Sequence, residues 1–196
     1  MKKNLPFLFT LFFAIALFFI GFFFLDLVLA NQLFFFPKSF HPFLEWLSFC
    51  IAPILHFIVW PTLYCLSYFF FSHKKVLLFI KHLVLSLFVT TVIVHCSKWL
   101  LGRARPEFLP YKIYGWYFFS SNYGFDSFPS GHATVAFCLF SSFSHYFSKY
   151  WIYFFLGCFV CSSSRIMLNY HFVSDIAGGV FIGIVTSELI WKNVKK

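Results

Sequence analysis

Charged residues are scarce in this chain of 196 residues. Only 11% of its residues are charged, against about 25% in a typical soluble domain. The balance is also uneven, since six acidic side chains stand against fifteen basic ones. Meanwhile 61% of the chain is hydrophobic, and phenylalanine alone contributes 35 residues. This composition excludes an ordinary soluble domain and predicts an integral membrane protein.

The sequence also lacks the patterns of a metal site, a disulfide framework or a second domain. No group of Asp and Glu residues has the spacing of a magnesium site, so we predict no metal and no cofactor. The cysteines lie inside apolar segments, which favours packing roles; they are Cys50, Cys65, Cys96, Cys138, Cys158 and Cys161. Without a repeat or linker, residues 1–196 are predicted to form one transmembrane domain.

Long apolar runs dominate the chain instead. Residues 8–25 carry no charge and approach the length of about 20 residues that crosses a bilayer. This run is longer than the core of a signal peptide and lacks a clean cleavage site, so we predict a retained helix. Turn formers and charges predict an all-α bundle of six transmembrane helices, with spans at 6–28, 43–71, 76–101, 132–148, 150–168 and 174–191. Pro53 and Pro61 are expected to kink the second span.

The lysines predict the orientation of the six spans. If the N-terminus is cytoplasmic, one side of the membrane carries most of them: Lys2, Lys3, Lys74, Lys75, Lys149, Lys192, Lys195 and Lys196. Because basic residues favour the cytoplasmic side, both termini are predicted to lie there. The net charge of +9 is then explained by anionic lipid headgroups, and no nucleic-acid partner is expected.

Several charged residues lie within or beside the predicted spans, where an ordinary membrane helix would have none. Lys98 is near the end of the third predicted span, Arg165 lies in the fifth and Asp175 opens the sixth. A charge at the centre of a lone span costs about 2.5–3.5 kcal/mol, although a lysine or arginine can also extend to the interface. In the predicted topology these residues gather at the outer membrane face, together with Arg105 and residues 130–132. Their shared location indicates one site.

The basic residues of this cluster suit a phosphate group. Lys98, Arg105 and Arg165 supply positive charge, and the two guanidinium groups can bind phosphate oxygens in pairs. Ser130 and Gly131 precede a helix, whose N-terminus favours an anion. Glycine also lets the backbone approach a phosphate closely.

The remaining residues suit covalent phosphoryl transfer. His171 is the candidate nucleophile, and attack on phosphorus would form a phosphohistidine. His132 would give a proton to the leaving oxygen and later activate water. Asp175 follows His171 by four residues and could orient its ring. With three basic side chains in place of a metal ion, positioning and electrostatics would carry the catalysis.

These motifs resemble those of the type-2 phosphatidic acid phosphatase (PAP2) family. The matching elements, in the expected order, are Lys98-x6-Arg105-Pro106, Pro129-Ser-Gly-His132 and Ser164-Arg165-x5-His171-x3-Asp175. The resemblance covers residues 98–175 and implies a six-helix bundle, metal-independent hydrolysis and an extracytoplasmic site. It implies the roles given above for the basic residues, the histidines and Asp175. Vanadium haloperoxidases are similar at these motifs but are soluble.

The implied function is removal of phosphate from a membrane lipid. The family suggests phosphatidic acid, phosphatidylglycerophosphate, undecaprenyl diphosphate or lipid A as substrate. A phosphotransferase with a lipid acceptor would use the same residues. A non-catalytic lipid-phosphate binder or transporter would need the cations but not His132 and His171. The small size favours a bacterial inner-membrane enzyme with a periplasmic site, and no obligate protein partner is evident.

Other residues carry weaker expectations. The stretch from 102 to 128 is expected to be an interfacial aromatic belt or a lid over the site. Arg103 is expected to touch substrate or to lie at the surface, and Asp26 to face water or headgroups. Gly178, Gly179 and Gly183 are expected to allow close helix contact.

Overall fold

The computed structural model describes residues 5–70, 74–122 and 124–194, and these contain helices but no β-strand. The predicted all-α fold is therefore confirmed. Short 3-10 helices lie at Lys38–Phe40, Pro106–Tyr111 and Ser148–Tyr150, and a π-helical turn covers Gly21–Leu25. The α-helices are α1 (Leu5–Ile20), α2 (Asp26–Leu33), α3 (His41–Phe49), α4 (Pro53–Phe70), α5 (Lys74–Leu101), α6 (Gly131–Tyr146), α7 (Trp151–Met167) and α8 (Val173–Val194).

The first apolar segment is longer than predicted. Helix α1 continues through the π-helical turn into α2, so that one helical segment of 29 residues runs from Leu5 to Leu33. We predicted an end at residue 28 because Asn31 is a turn former. The helix instead accommodates Asn31 in its last turn.

The second predicted span is interrupted. Helix α3 ends at Phe49 and α4 begins at Pro53, because proline has no N–H to continue the hydrogen bonds of a preceding helix. Pro61 lies inside α4 without ending it. Residues 71–73, where the predicted span ends and the next connection begins, lie outside the described residues.

Within the described residues, four helical segments are long and apolar enough to cross a membrane: Leu5–Leu33, Lys38–Tyr68, Lys74–Leu101 and Val173–Val194. Helices α6 and α7 are shorter, at 16 and 17 residues, and each extends about 25 Å. The chain is thus an integral membrane protein, whereas six crossings remain a prediction. The orientation stays a prediction as well, and Lys2, Lys3, Lys195 and Lys196 lie outside the described residues.

Helix α8 is the centre of the bundle and packs against α1, α5 and α6. Its contact with α6 depends on two glycines. A Cβ at Gly179 would lie 2.6 Å from the Ser130 carbonyl oxygen, and one at Gly183 would lie 2.5 Å from that of Thr134. The expected close contact is confirmed, because only glycine lets the two backbones approach so far.

The outer helices present phenylalanine to the surroundings. Phe12, Phe23 and Phe24 of the first segment are each at least 67% exposed. Such an apolar surface suits lipid chains rather than water. The predicted site residues instead meet at one end of the bundle, where α5 and α7 end and α6 and α8 begin.

Candidate active site

A cavity of about 240 Å³ lies at this end of the bundle. Six of the eight predicted site residues line it: Lys98, Arg105, Gly131, His132, Arg165 and His171. Ser130 and Asp175 are fully buried behind the wall. The structure therefore brings the three sequence motifs together around one space.

Two of the predicted phosphate ligands contact an aspartate. Lys98 Nζ lies 2.7 Å from the carbonyl oxygen of Asp126 and 3.4 Å from its Oδ2. Arg105 donates from Nε to Asp126 Oδ1 at 2.8 Å and from a terminal nitrogen to Oδ2 at 3.1 Å. Burial raises the pKa of Asp126, but the hydrogen bond from Arg105 and the charge of Lys98 outweigh it and lower the pKa to about 2. Asp126 therefore stays ionised and holds both cations beside the cavity.

Arg165 reaches the cavity from the last turn of α7. One terminal nitrogen donates to Ser48 Oγ at 2.9 Å, and the guanidinium carbon lies 4.5 Å from the centre of the Tyr170 ring. Since Ser48 belongs to α3, this contact joins α7 to the second apolar segment. The arginine is thereby oriented from two sides.

Ser130 and Gly131 form the start of α6. Ser130 is the N-cap, and its hydroxyl accepts a long hydrogen bond of 3.5 Å from the Ala133 N–H. Its own N–H donates to the Asp175 carbonyl oxygen at 3.1 Å, so that this N–H is directed toward α8 rather than the cavity. Gly131 does line the cavity, and a Cβ there would come within 3.9 Å of Pro53 and Val94. The role of Ser130 and Gly131 as phosphate ligands stays a prediction.

His171 lies in the connection between α7 and α8 and is 3% exposed. Its Nδ1 is 2.8 Å from the carbonyl oxygen of Ser127 but 3.8 Å from Asp175 Oδ2. A carbonyl only accepts hydrogen bonds, so Nδ1 carries the proton and Nε2 carries the lone pair. Burial lowers the pKa of His171 to about 4, and the nearby Asp175 offsets only part of that effect.

Asp175 lies within ion-pair distance of His171, but its short hydrogen bonds go to other groups. Its Oδ2 accepts from Ser127 Oγ at 2.5 Å and from the Phe172 N–H at 2.8 Å. Ser127 in turn supplies the carbonyl that binds His171. The aspartate is thus connected to the histidine through Ser127, which sequence analysis missed because a backbone carbonyl leaves no residue pattern.

His132 lies in the first turn of α6 and faces the same cavity as His171. The predicted acid and nucleophile therefore border one space. The apolar part of the wall includes Pro53, Val94 and Val135.

The expectations for Arg103 and Asp26 were wrong. Arg103 is 1% exposed and neither lines the cavity nor lies at the surface. Asp26 is 2% exposed and does not face water or headgroups.

The stretch from 102 to 128 contributes Trp116, whose ring centre lies 5.1 Å from the Arg103 guanidinium carbon. Tyr123 in this stretch lies outside the described residues.

No group of three or more His, Cys, Asp or Glu residues suited to a metal occurs among residues 5–70, 74–122 and 124–194. The cavity wall instead presents three cations and three histidines, which are His95, His132 and His171. Such a lining attracts an anion of high charge density. Phosphate, like a carboxylate, has the geometry that suits paired guanidinium donors.

Two solved structures resemble the fold. One is LpxE of Aquifex aeolicus, with a TM-score of 0.65, 24% identity, and coverage of 88% of this chain and 98% of that one. The other is a transmembrane PAP2-type phosphatidylglycerolphosphate phosphatase of Bacillus subtilis, with a TM-score of 0.62, 20% identity, and coverage of 99% and 96%. At these identities the likeness shows the fold.

Sequence comparison identifies the family. Lipid A 1-phosphatases of Rhizobium etli and Rhizobium johnstonii are 31% identical over 115 residues, which is 56% of this chain and 50% and 47% of theirs. The chain thus spans about half the length of the curated relatives it matches. The PAP2 superfamily model matches residues 79–196, which is more than half of the chain and includes every predicted site residue. The chain belongs to the PAP2 superfamily.

Proposed function

We propose that this protein is a lipid phosphate phosphatase that works through a phosphohistidine at His171. The observation that carries the proposal is the hydrogen bond from His171 Nδ1 to the Ser127 carbonyl. It leaves a lone pair on Nε2 of a residue that lines a cavity with three cations. A neutral imidazole beside an anion site is the arrangement that nucleophilic attack on phosphorus needs.

The reaction has two steps. In the first, His171 Nε2 forms a bond to phosphorus while the bond to the lipid oxygen breaks, and His132 gives that oxygen a proton. In the second, His132 takes a proton from water, the water oxygen bonds to phosphorus, and the bond to Nε2 breaks. Lys98, Arg105 and Arg165 would stabilise the charge on the other phosphate oxygens throughout.

The cationic wall supports hydrolysis without a metal ion. Lys98 and Arg105 are already held toward the cavity by Asp126, so that little reorganisation is needed when a phosphate enters. In this reaction the basic side chains supply the positive charge that a magnesium ion supplies in other phosphoryl transfers.

The substrate is proposed to be a lipid, with lipid A as the first candidate. The apolar wall formed by Pro53, Val94 and Val135 supports an apolar chain next to the phosphate. The relatives named lipid A 1-phosphatases support a phosphate on lipid A. Phosphatidic acid, phosphatidylglycerophosphate and undecaprenyl diphosphate offer the same phosphate chemistry and belong in the same comparison.

The proposed setting is the bacterial inner membrane, with six crossings, both termini in the cytoplasm and the site facing the periplasm. The lysine distribution supports this orientation. Helices α6 and α7 would be the two short crossings, because their 16 and 17 residues lie close to the lower limit of about 17 residues for a span. A periplasmic reporter fused near Lys112 should then be active, and a cytoplasmic reporter there should not.

Phosphate release by the purified protein in detergent tests the proposed function. We expect release from at least one of the four lipids with EDTA present, and loss of that release in His171→Ala. His145→Ala is the matched control, because His145 lies at the other end of the bundle. Activity that vanishes with EDTA, or that persists in His171→Ala, would contradict the proposal.

A further inference from the structure

A cluster of buried charges lies directly behind the candidate nucleophile. Arg103, Asp26 and Asp175 are 1%, 2% and 0% exposed. One terminal nitrogen of Arg103 donates to Asp175 Oδ1 at 2.5 Å, and the other donates to Asp26 Oδ2 at 2.8 Å. The guanidinium therefore joins a carboxylate of the first apolar segment to the carboxylate at the start of α8.

Asp26 is placed in this cluster by an irregular stretch of helix. The π-helical turn Gly21–Leu25 ends immediately before it, and such turns occur frequently at functional sites. Gly21 brings this turn against α8, since a Cβ on it would lie 2.9 Å from the Ser174 nitrogen. Consequently, Asp26 Oδ1 accepts the Ser174 N–H at 3.0 Å.

Ser174 completes the hydrogen bonds of the cluster. Its hydroxyl accepts from Arg103 at 2.6 Å and donates to Asp26 Oδ2. Three aromatic rings enclose the Arg103 guanidinium carbon, with centres at 4.4 Å for Phe172, 5.1 Å for Trp116 and 5.8 Å for Phe22. Because the rings exclude water, the charges interact more strongly than they would at a surface.

Arg103 is also connected to Ser127, the residue whose carbonyl binds His171. The Ser127 N–H donates to the Arg103 carbonyl oxygen at 3.0 Å. The Ser127 hydroxyl donates to the carboxylate that Arg103 holds. The N–H and the hydroxyl of Ser127 are therefore held by Arg103 and by its partner Asp175.

We propose that Arg103 and Asp26 are positioning residues for the reaction, acting on His171 through Asp175 and Ser127. This inference rests on the proposed function, in which His171 is the nucleophile. Neither residue lines the cavity, so neither is assigned a contact with substrate. Their effect is to hold Asp175 in one orientation and thereby keep the Nε2 lone pair of His171 directed at phosphorus.

The net charge of the cluster also favours attack by His171 on phosphorus. Two carboxylates and one guanidinium leave one net negative charge behind His171. When Nε2 bonds to phosphorus while Nδ1 keeps its proton, the imidazole ring becomes positive. The residual negative charge stabilises that ring, as the buried carboxylate of a catalytic triad stabilises an imidazolium.

The test measures kcat and KM for a lipid phosphate that the wild-type protein hydrolyses. Asp26→Asn keeps the shape and removes the charge, and we expect kcat to fall about 10- to 100-fold, the usual effect of losing a residue that orients a ligating histidine. KM and the inhibition constant of inorganic phosphate should change less than about threefold, because the anion site is intact. Arg103→Lys should retain more kcat than Arg103→Gln, since lysine keeps the positive charge.

Glu188→Gln is the matched control. It also neutralises a largely buried carboxylate on α8 that pairs with a basic side chain, and its kcat should stay within about twofold of wild type because it is far from the cavity. A purely structural role would lower the melting temperature of Asp26→Asn while leaving kcat per folded molecule unchanged, and that result would overturn the proposal.

Two further measurements keep the test decisive. If Asp26→Asn does not fold, Ser174→Ala removes the hydroxyl shared by Arg103 and Asp26, and we expect a smaller fall in kcat at constant KM. An unchanged kcat in Ser174→Ala would then contradict the proposal. Absence of activity in the wild-type protein would instead indicate failure of the proposed function, so the two failures are distinguishable.

Discussion

Two buried polar clusters lie at opposite ends of α8. One surrounds Asp175, and the other surrounds Glu188, thirteen residues or about 20 Å further along the helix. At the Glu188 end, His145 Nε2 lies 2.9 Å from the carboxylate, and the ring of Trp191 stacks on His145 with centres 4.8 Å apart. His82 Nε2 lies 2.9 Å from the Ser187 carbonyl oxygen. The space there is only about 10 Å³.

The Asp175 end differs in its balance of charge and in its space. Its cavity is about 240 Å³, and the described lining residues include Lys98, Arg105 and Arg165 but no carboxylate. A closed pair such as His145 and Glu188 stabilises helix packing. An excess of cations around open space is instead stabilised by an anion that enters. The contrast therefore separates a structural cluster from a candidate site on a single helix.

Neutralising the carboxylate at each end of α8 should reveal the largest difference between the two clusters. We expect Asp175→Asn to lower kcat by about 10³- to 10⁴-fold, the scale seen when the orienting carboxylate of a catalytic triad is changed to an amide. Glu188→Gln should leave kcat within about twofold of wild type. The measurement is steady-state phosphate release in detergent, with melting temperature recorded for both variants. Equal losses at the two ends would contradict the distinction between the clusters.

Changing the donor geometry of a cation at the cavity should have a smaller effect on catalysis. Arg105→Lys keeps the charge but loses the paired donors that now contact Asp126. We expect kcat/KM to fall about 10- to 100-fold, because a hydrogen bond to a charged group contributes about 1.5–3 kcal/mol. The matched substitution Arg103→Lys should change kcat with little change in KM, whereas Arg105→Lys should also weaken inhibition by inorganic phosphate. Unchanged inhibition would argue against Arg105 as a phosphate ligand.

The sequence was informative where chemistry is encoded within a few residues. The spacings from Lys98 to Arg105 and from Arg165 to Asp175 predicted residues that surround one cavity or lie directly behind it, and the apolar runs predicted the helices. The contact between Arg103 and Asp26 joins residues 77 positions apart, so no local pattern reveals it. The Ser127 carbonyl was missed because any residue carries one. The irregular turn before Asp26 depends on packing against α8, which composition does not encode.

The smallest predicted effect concerns stability and pH at the Asp175 end. Burial lowers the pKa of His171 to about 4, whereas an unfolded histidine titrates near 6.5. Between these values the unfolded chain binds more protons than the folded protein, so stability is lost as pH falls from about 6.5 to 4. One such group contributes at most about 1.4 kcal/mol per pH unit. Melting temperatures in detergent across this range should therefore fall less steeply for His171→Gln than for wild type, and identical slopes would show that His171 is not buried in its neutral form.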